Sequence, residues 1–409
     1  MDQREQFERV LSKNDLFILG LGNIIGIGIL IIVSSVAKNC GNYSWLAMCI
    51  AGIFALLTAL SYSEISSAFH NNSSEIGFVK YAFNTDMGAN IIGIIIFITE
   101  IIILSSISQG FGLYFTNIFK SFNPIFVSIL AVILFSYINY RGIKLSADFS
   151  KYFLAINVGI MFILIIYGIM NIKSSKILVE KNASASDLIK GSVAALFCFL
   201  GFSANTNYIS ESKDPSQIPQ VIIITTLFSI FCFTLVMISL QVGLGSKQIA
   251  NSTAPLRDLI KLYFGEIGGL IFSVIALAFI SNCLLLTCLT ESRFLHSLIE
   301  NISQPLSDAD MKSKYGTPYI SIIIVCILTI CCILFFKSIN KTALFGDVLT
   351  IGIFIMVNMI AIFLRYYDDE KMKRTYIMPL NFGKLPITAV LGVILGCGAL
   401  GMLCKNGGH

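Results

Sequence analysis

Charge is scarce in this chain: Asp, Glu, Lys and Arg make up 12% of its 409 residues, against 56% hydrophobic ones, and the mean hydropathy is +0.83. A water-soluble domain of this length could not cover its surface with so few charges, which excludes the soluble classes. Histidine is almost absent. His70, His296 and His409 are the 3 present and lie far apart, so no metal cluster is built on them. The eleven cysteines fall mostly inside apolar runs, as Cys49, Cys198, Cys283 and Cys331 do, and no pair of CxxC elements occurs. They read as small core residues, not as a disulfide framework or a zinc site. No nucleotide-binding loop precedes a helix, since Gly20, Gly22, Gly26 and Gly28 follow no strand, and no nucleophile-base set appears. Catalytic residues, metal ligands and cofactors are therefore not expected, and the chain does not read as an enzyme. The net charge of +5 comes from basic residues scattered through short connections, which excludes a nucleic-acid partner.

What the chain has is length of apolar sequence. Runs free of Asp, Glu, Lys and Arg occupy 16–37, 39–63, 121–140, 152–172, 191–210, 215–246, 267–290, 315–336, 348–364 and 385–404, and 87–119 is interrupted only by Glu100. About 20 such residues cross a bilayer as a helix, so the chain predicts an all-α polytopic membrane protein of about eleven spans. Closed β-barrels are excluded, because their strands are short and alternate in polarity. With the N-terminus in the cytoplasm, Arg4, Arg9, Arg141, Arg293, Arg365 and Arg374 fall inside and only Arg257 outside, a bias that the lysines narrow. The first apolar run lacks a small-residue cleavage site and reads as span 1, not as a signal peptide. The expected location is a cell membrane, with the lipid bilayer as solvent.

The spans divide unevenly. A cytoplasmic segment (1–14) leads into five spans (15–171), a polar connection (173–190), five more (187–366) and one further span (385–404). Five plus five plus one suggests two inverted repeats, whose first helices are broken at mid-depth in many secondary transporters. Span 1 carries "GNIIGIGIL" and span 6 carries "FCFLGFSANTNY", with Gly201 followed by Ser203, Asn205 and Asn207. Glycine weakens a helix by up to about 1 kcal/mol relative to alanine. It also serves close helix packing, so "GIG" alone is ambiguous; Gly201 with its polar train in the matching place points to a paired break. Backbone unwound in hydrocarbon survives only if buried or lining a hydrated cavity. There the start of a second half-helix offers N–H groups to a carboxylate, and the end of a first half-helix offers carbonyls to an ammonium or a cation.

At these residues the sequence resembles the amino acid-polyamine-organocation (APC) superfamily. "GLGNIIGIGIL", "ALSYSEISSAF" with "SEIGFVKYAF", "FCFLGFSANTNYISESKDPSQIP", and "LTESRFLHSLIEN" with "KYGTPY" are similar to its signatures, in order, from about residue 13 to 366. The resemblance implies a leucine-transporter-like 5+5 inverted repeat that carries amino acids or related amines by alternating access. It places the substrate carboxylate on the backbone N–H groups of Ile27 and Gly28, beside Gly26, and the ammonium on the carbonyls of Ile24, Phe197 and Leu200. The Phe197 ring would close over the substrate, and Cys198 and Gly201 would line the pocket. Phe197, Cys198 and Leu200 thus suggest a pocket without fixed charge, favouring neutral side chains. The resemblance also marks departures. Many relatives have a lysine in span 5 where this chain has Asn157, and those with an acidic residue after the span 6 break contrast with Ser203 here.

Four residues are candidates for coupling to an ion, H+ or Na+. Glu100 is a carboxyl inside an apolar run and so a proton carrier, or else a structural group held by Ser105 or Ser106. Asn157, with Ser281 and Asn282 of span 8, offers oxygens for sodium, or else interhelical hydrogen bonds. Glu64, at the end of span 2, reads as a gate or helix-end contact. The alternatives are an ion-independent exchanger and a non-transporting sensor; the sequence is silent on an accessory subunit.

Overall fold

The first helix of each expected repeat begins with the same signal. Ser12 caps α1 (Lys13–Ile24) and Ser184 caps α8 (Ala185–Leu196), each in a capping box closed by an aspartate three residues on, Asp15 and Asp187. The computed structural model describes residues 7–68, 75–83, 85–171, 184–311, 313–336, 339–367 and 374–406. His70, His409, the first six residues of the N-terminal segment and most of the 173–190 connection lie outside these.

The architecture is all-α. Beyond α1, the first half contains α2 (Ile27–Cys40), α3 (Ser44–Ala68), the short α4 (Glu75–Phe83), α5 (Asp86–Ile118), α6 (Pro124–Tyr140) and α7 (Ile143–Met170). The second half continues from α8 through tight turns of 3-10 helix at Phe197–Phe199 and Phe202–Glu211. It then runs through α9 (Ile218–Gly243), α10 (Ser246–Asn251), α11 (Pro255–Ile302), α12 (Gln304–Asp310), α13 (Tyr319–Phe335) and α14 (Ile339–Tyr367). After a two-residue hairpin at Asn381–Phe382 and Leu385–Pro386, α15 (Ile387–Asn406) ends the chain. Among the described residues, seven apolar helical stretches are 18 residues or longer; the first, Lys13–Ala68, turns at Gly41 and so contains both span 1 and span 2. Pro124–Tyr140, Tyr319–Phe335 and Ile387–Met402 are shorter apolar helices. Each apolar run of the sequence thus has its helix.

Large apolar side chains stand outward, including Ile94, Ile95 and Ile98 on α5 and Ile163, Ile166 and Ile169 on α7. In water such a surface would be unstable; in a bilayer it is the solvated face. Polar residues turn inward instead.

Packing follows the twofold logic of the repeats. In order along each half, α3 corresponds to α9, α5 to α11, α6 to α13 and α7 to α14. The equivalent pairs α3–α9, α5–α11 and α6–α13 contact one another, and the exchange contacts come in twos: α5 with α14 as α11 with α7. The broken helices do the same. The second half of one packs against the first half of the other, α2 on α8 and α1 on the 3-10 segment 202–211. An additional helix, α15, lies outside this arrangement against α14 and α3.

Candidate functional site

Helix α1 stops at Ile24. The chain continues extended at Ile25 and Gly26 before α2 begins at Ile27. In the second half α8 tightens at Phe197–Phe199, Leu200 is extended, and Gly201 takes a left-handed conformation with φ of 99°. The two breaks face each other so closely that side chains are excluded between them. A Cβ on Gly28 would stand 2.8 Å from the Cα of Cys198, and one on Gly201 would stand 2.8 Å from the backbone oxygen of Asn23. Gly26 abuts the Cys283 side chain of α11. These glycines are therefore the means by which the breaks meet backbone to backbone.

A cavity of about 70 Å³ opens at this junction, room for a few water molecules. Ile24, Gly26, Ile27, Gly28, Phe197, Leu200 and Gly201 all line it, as does Glu100 from α5. Cys198 does not: its side chain is buried, and its backbone serves as the wall against which Gly28 packs. The Ile27 N–H is met by the Cys283 thiol, a weak acceptor that an anion could displace. The Phe197 carbonyl receives only a long contact, 3.4 Å, from the Leu200 N–H.

The wall is not free of ionisable groups, contrary to the expectation from Phe197, Cys198 and Leu200. Glu75 of α4 and Glu291 of α11 join Glu100 in lining the cavity, and the three lie within electrostatic reach of one another. Tyr62 hydrogen-bonds Glu75, and the hydroxyl of Ser105 turns back onto the Ile102 carbonyl at 2.7 Å, so it does not hold Glu100. A charge-free run ends span 8 at residue 290 and leaves Glu291 outside it. The helix runs on to Ile302 and carries Glu291, Arg293 and His296 with it into the interior.

The sodium candidates lie elsewhere. Asn282 and Ser150 face α1, where a Cβ on Gly22 would stand 2.7 Å from Asn282 Nδ2 and 2.9 Å from Ser150 Oγ. Asn157 is on the same face of α7 two turns further, Asn205 abuts Gly20, and Ser281 is buried on α11. None of Asn157, Ser281 and Asn282 lines the cavity. Ser150 Oγ and the side-chain amide atoms of Asn157, Asn205 and Asn282 find no hydrogen-bond partner among the described residues.

The side of the molecule on which the chain starts is closed by buried ion pairs. Arg293 donates from Nε and Nη2 to Glu211 at 3.3 and 3.2 Å. The N-terminal segment straps over this pair: the Leu11 N–H donates to the Glu211 carbonyl and the Lys213 N–H to the Leu11 carbonyl, both at 2.9 Å, while the Phe7 ring lies against Arg293. Glu64 is a helix-end contact. It accepts from Arg365 Nε at 2.6 Å and from the Met378 N–H at 2.8 Å, joining α3, α14 and the approach to α15. His296 forms a third link, 2.8 Å from Asp310, which also accepts from the Ser321 N–H at 2.9 Å and its hydroxyl at 2.6 Å. Burial alone would raise the Asp310 carboxyl, but the hydrogen bonds of His296 and Ser321 outweigh it and hold the group below its ordinary value.

Comparison with known proteins bears on these features. A family model described as "Amino acid permease" matches residues 11–403. The methylthioribose transporter of Bacillus subtilis is 24% identical over 330 residues, covering 76% of this chain and 71% of its own. The branched-chain amino acid permease of the same organism is 23% identical over 343 residues, covering 78% and 72%. The chloroplastic cationic amino acid transporter 9 of Arabidopsis thaliana is 22% identical over 307 residues, covering 70% of this chain and 54% of its own.

Proposed function

Because the chain belongs to the amino acid permease family, we propose that it works by alternating access, with the α-amino and α-carboxyl groups of its substrate held between the two broken helices. It is a multi-pass membrane transporter of amino acids or related compounds, not an enzyme. The observation that carries the reading is the convergence on one cavity of the start of α2, at Ile27 and Gly28, and the ends of the preceding half-helices, at Ile24, Phe197 and Leu200. A carboxylate suits the first N–H groups of α2, and an ammonium suits the carbonyl ends. Both charges of a zwitterion are then met by backbone, and the water they shed is replaced at little reorganisation cost.

Coupling rests on two groups. Asn157 and Asn282, with Ser150 and Asn205 nearby, offer buried side-chain oxygens without hydrogen-bond partners among the described residues, and Ser281 adds a buried hydroxyl, which suits sodium, an ion that favours oxygen ligands. Glu100 in the cavity wall is the alternative, as a proton carrier. A third possibility, exchange of one amino acid for another without an ion, needs neither. We place the N-terminus in the cytoplasm and the protein in the plasma membrane, so the Arg293–Glu211 strap closes the inner side.

Uptake of labelled amino acids into proteoliposomes tests the proposal, run with a sodium gradient, a proton gradient, preloaded amino acid, or none. Accumulation driven by sodium and lost in Asn282→Ala supports the asparagine site; accumulation driven by protons and lost in Glu100→Gln supports the carboxyl. Flux only after preloading identifies an exchanger. Absence of flux in all four conditions from folded protein overturns the proposal in favour of a sensor.

A further inference from the structure

Three glutamates reach one small cavity, and no basic side chain among the described residues lines it with them. Glu75 and Glu291 are 5% and 3% exposed, and in each the Oε2 atom has no hydrogen-bond partner among the described residues. Asn207, on the same wall, has an unpartnered Oδ1 as well. Buried carboxyl oxygens left without partners are costly, and three in mutual reach cannot all carry charge unless something positive stands among them. No Lys, Arg or His side chain lines the cavity among the described residues. The nearest in sequence, Arg293, is taken up by Glu211 and by the Ser292 hydroxyl at 3.1 Å.

Position adds to composition. The substrate backbone groups belong at the breaks, on the proposed reading, where Gly26, Ile27 and Gly201 form the wall. The carboxyls reach the same cavity from different helices: Glu100 on α5, Glu291 on α11 and Glu75 on α4. Ile96, Ile103 and Ile107 of α5, which flank Glu100 along the helix, line the cavity with them. An aliphatic stem ending in a positive head fits this lining of backbone ligands, apolar side chains and carboxyl oxygens left without donors.

We propose that the Glu75, Glu100 and Glu291 cluster is the receptor for a second positive charge on the substrate, making this a site for dibasic amines and amino acids with an ammonium or guanidinium at the end of an aliphatic chain. The inference rests on the reading of the breaks as the amino acid site and adds the side chain that the site selects. A neutral side chain of the same length leaves the carboxyl oxygens unpaired. Sites that hydrogen-bond a substrate group discriminate strongly against the analogue lacking it. Glu291→Gln keeps the shape but removes a formal charge and replaces an acceptor oxygen by a donor, so it weakens the dibasic ligand selectively.

The test uses two ligands that differ in the terminal ammonium, L-lysine and L-norleucine. Binding to the purified full-length protein in nanodiscs is measured by calorimetry, without sodium and with it. The expected result is a lysine affinity at least tenfold above that of norleucine, and a ratio that falls toward one in Glu291→Gln and in Glu75→Gln while norleucine binding holds. Equal affinities, or a lysine preference that survives both substitutions, overturn the inference and leave the break site standing. Binding of neither ligand overturns both readings. Sodium alone binding to the wild type and not to the glutamine variants would reassign the cluster to an inorganic cation and also overturn the inference. The wild-type comparison needs no variant, so a variant that fails to fold does not remove the test.

Discussion

Replacing Gly201 by alanine adds one methyl group at the point where the two breaks touch. With φ at 99°, an L side chain at this position costs roughly 1–3 kcal/mol of backbone strain. The new Cβ would also stand 2.8 Å from the Asn23 oxygen and 2.9 Å from its carbonyl carbon, closer than real side chains approach backbone. Asn23 cannot yield alone, because its side chain is tied to the Leu19 carbonyl at 3.0 Å and Ile24 follows it into the cavity wall. The half-helices must therefore separate by several tenths of an ångström. If half of the strain, about 0.5–1.5 kcal/mol, appears as lost substrate affinity, uptake falls roughly two- to twelvefold, since about 1.4 kcal/mol corresponds to a factor of ten. The assay is initial-rate uptake in proteoliposomes, normalised to inserted protein. The matched control is Gly159→Ala, at an open, outward-facing position on α7 where an added Cβ meets nothing within 4 Å. There alanine should stabilise the helix by roughly 0.4–1 kcal/mol and leave uptake unchanged. Wild-type uptake in Gly201→Ala would refute the reasoning, because the breaks would then not need to meet as described.

Other perturbations separate structure from transport. Glu64→Gln leaves Arg365 buried with its principal partner weakened, and loss of one member of a buried ion pair costs roughly 3–5 kcal/mol; the yield of monodisperse protein and its melting temperature should fall. Arg293→Ala should loosen the strap without unfolding the bundle, so the cavity-lining Cys283 should be alkylated faster by a maleimide applied from the N-terminal side, read by peptide mass spectrometry; an unchanged rate would show that the pair is not a closure. Asp310→Asn tests pH linkage. Because the folded carboxyl lies below its ordinary value, its stabilising contribution is present above the unfolded pKa of about 3.9 and is lost as pH falls through the folded value. The difference in melting temperature between wild type and variant should therefore shrink between pH 6 and pH 3, and a difference independent of pH would contradict the linkage.

Most of the bundle was legible in the sequence because hydrocarbon leaves a helix no choice: every backbone group must be satisfied within its own segment, so each apolar run became a helix. The breaks were legible too, since glycine appears in the middle of runs that would otherwise exclude it. The charged interior was not. Reading spans as stretches without charge makes every charge a boundary, and Glu64, Glu211, Glu291 and Arg365 each stood one residue beyond such a stretch. In the structure Glu64, Glu291 and Arg365 continue their helices and all four are buried in pairs or in the cavity wall. Partners for them come from segments 301 residues away, as with Glu64 and Arg365, or 314, as with Glu64 and Met378, and nothing local announces those pairings. Glu75 was hidden for a related reason: it opens a short helix after span 2, and only the tertiary fold brings it beside Glu100. A signal did exist. Glu291, Arg293 and His296 sit in a run of otherwise small and apolar residues that continues to Leu298, too long to be a connection.

The most direct test of the account is whether the start of α2 binds a carboxylate. Competition against labelled substrate uptake should be measured with an amino acid and its methyl ester, which keeps the side chain and the ammonium but neutralises the acid. The account predicts that the ester competes at least tenfold more weakly, because the N–H groups of Ile27 and Gly28 lose their charged acceptor. Equal competition by acid and ester would contradict it and move the substrate off the broken helices.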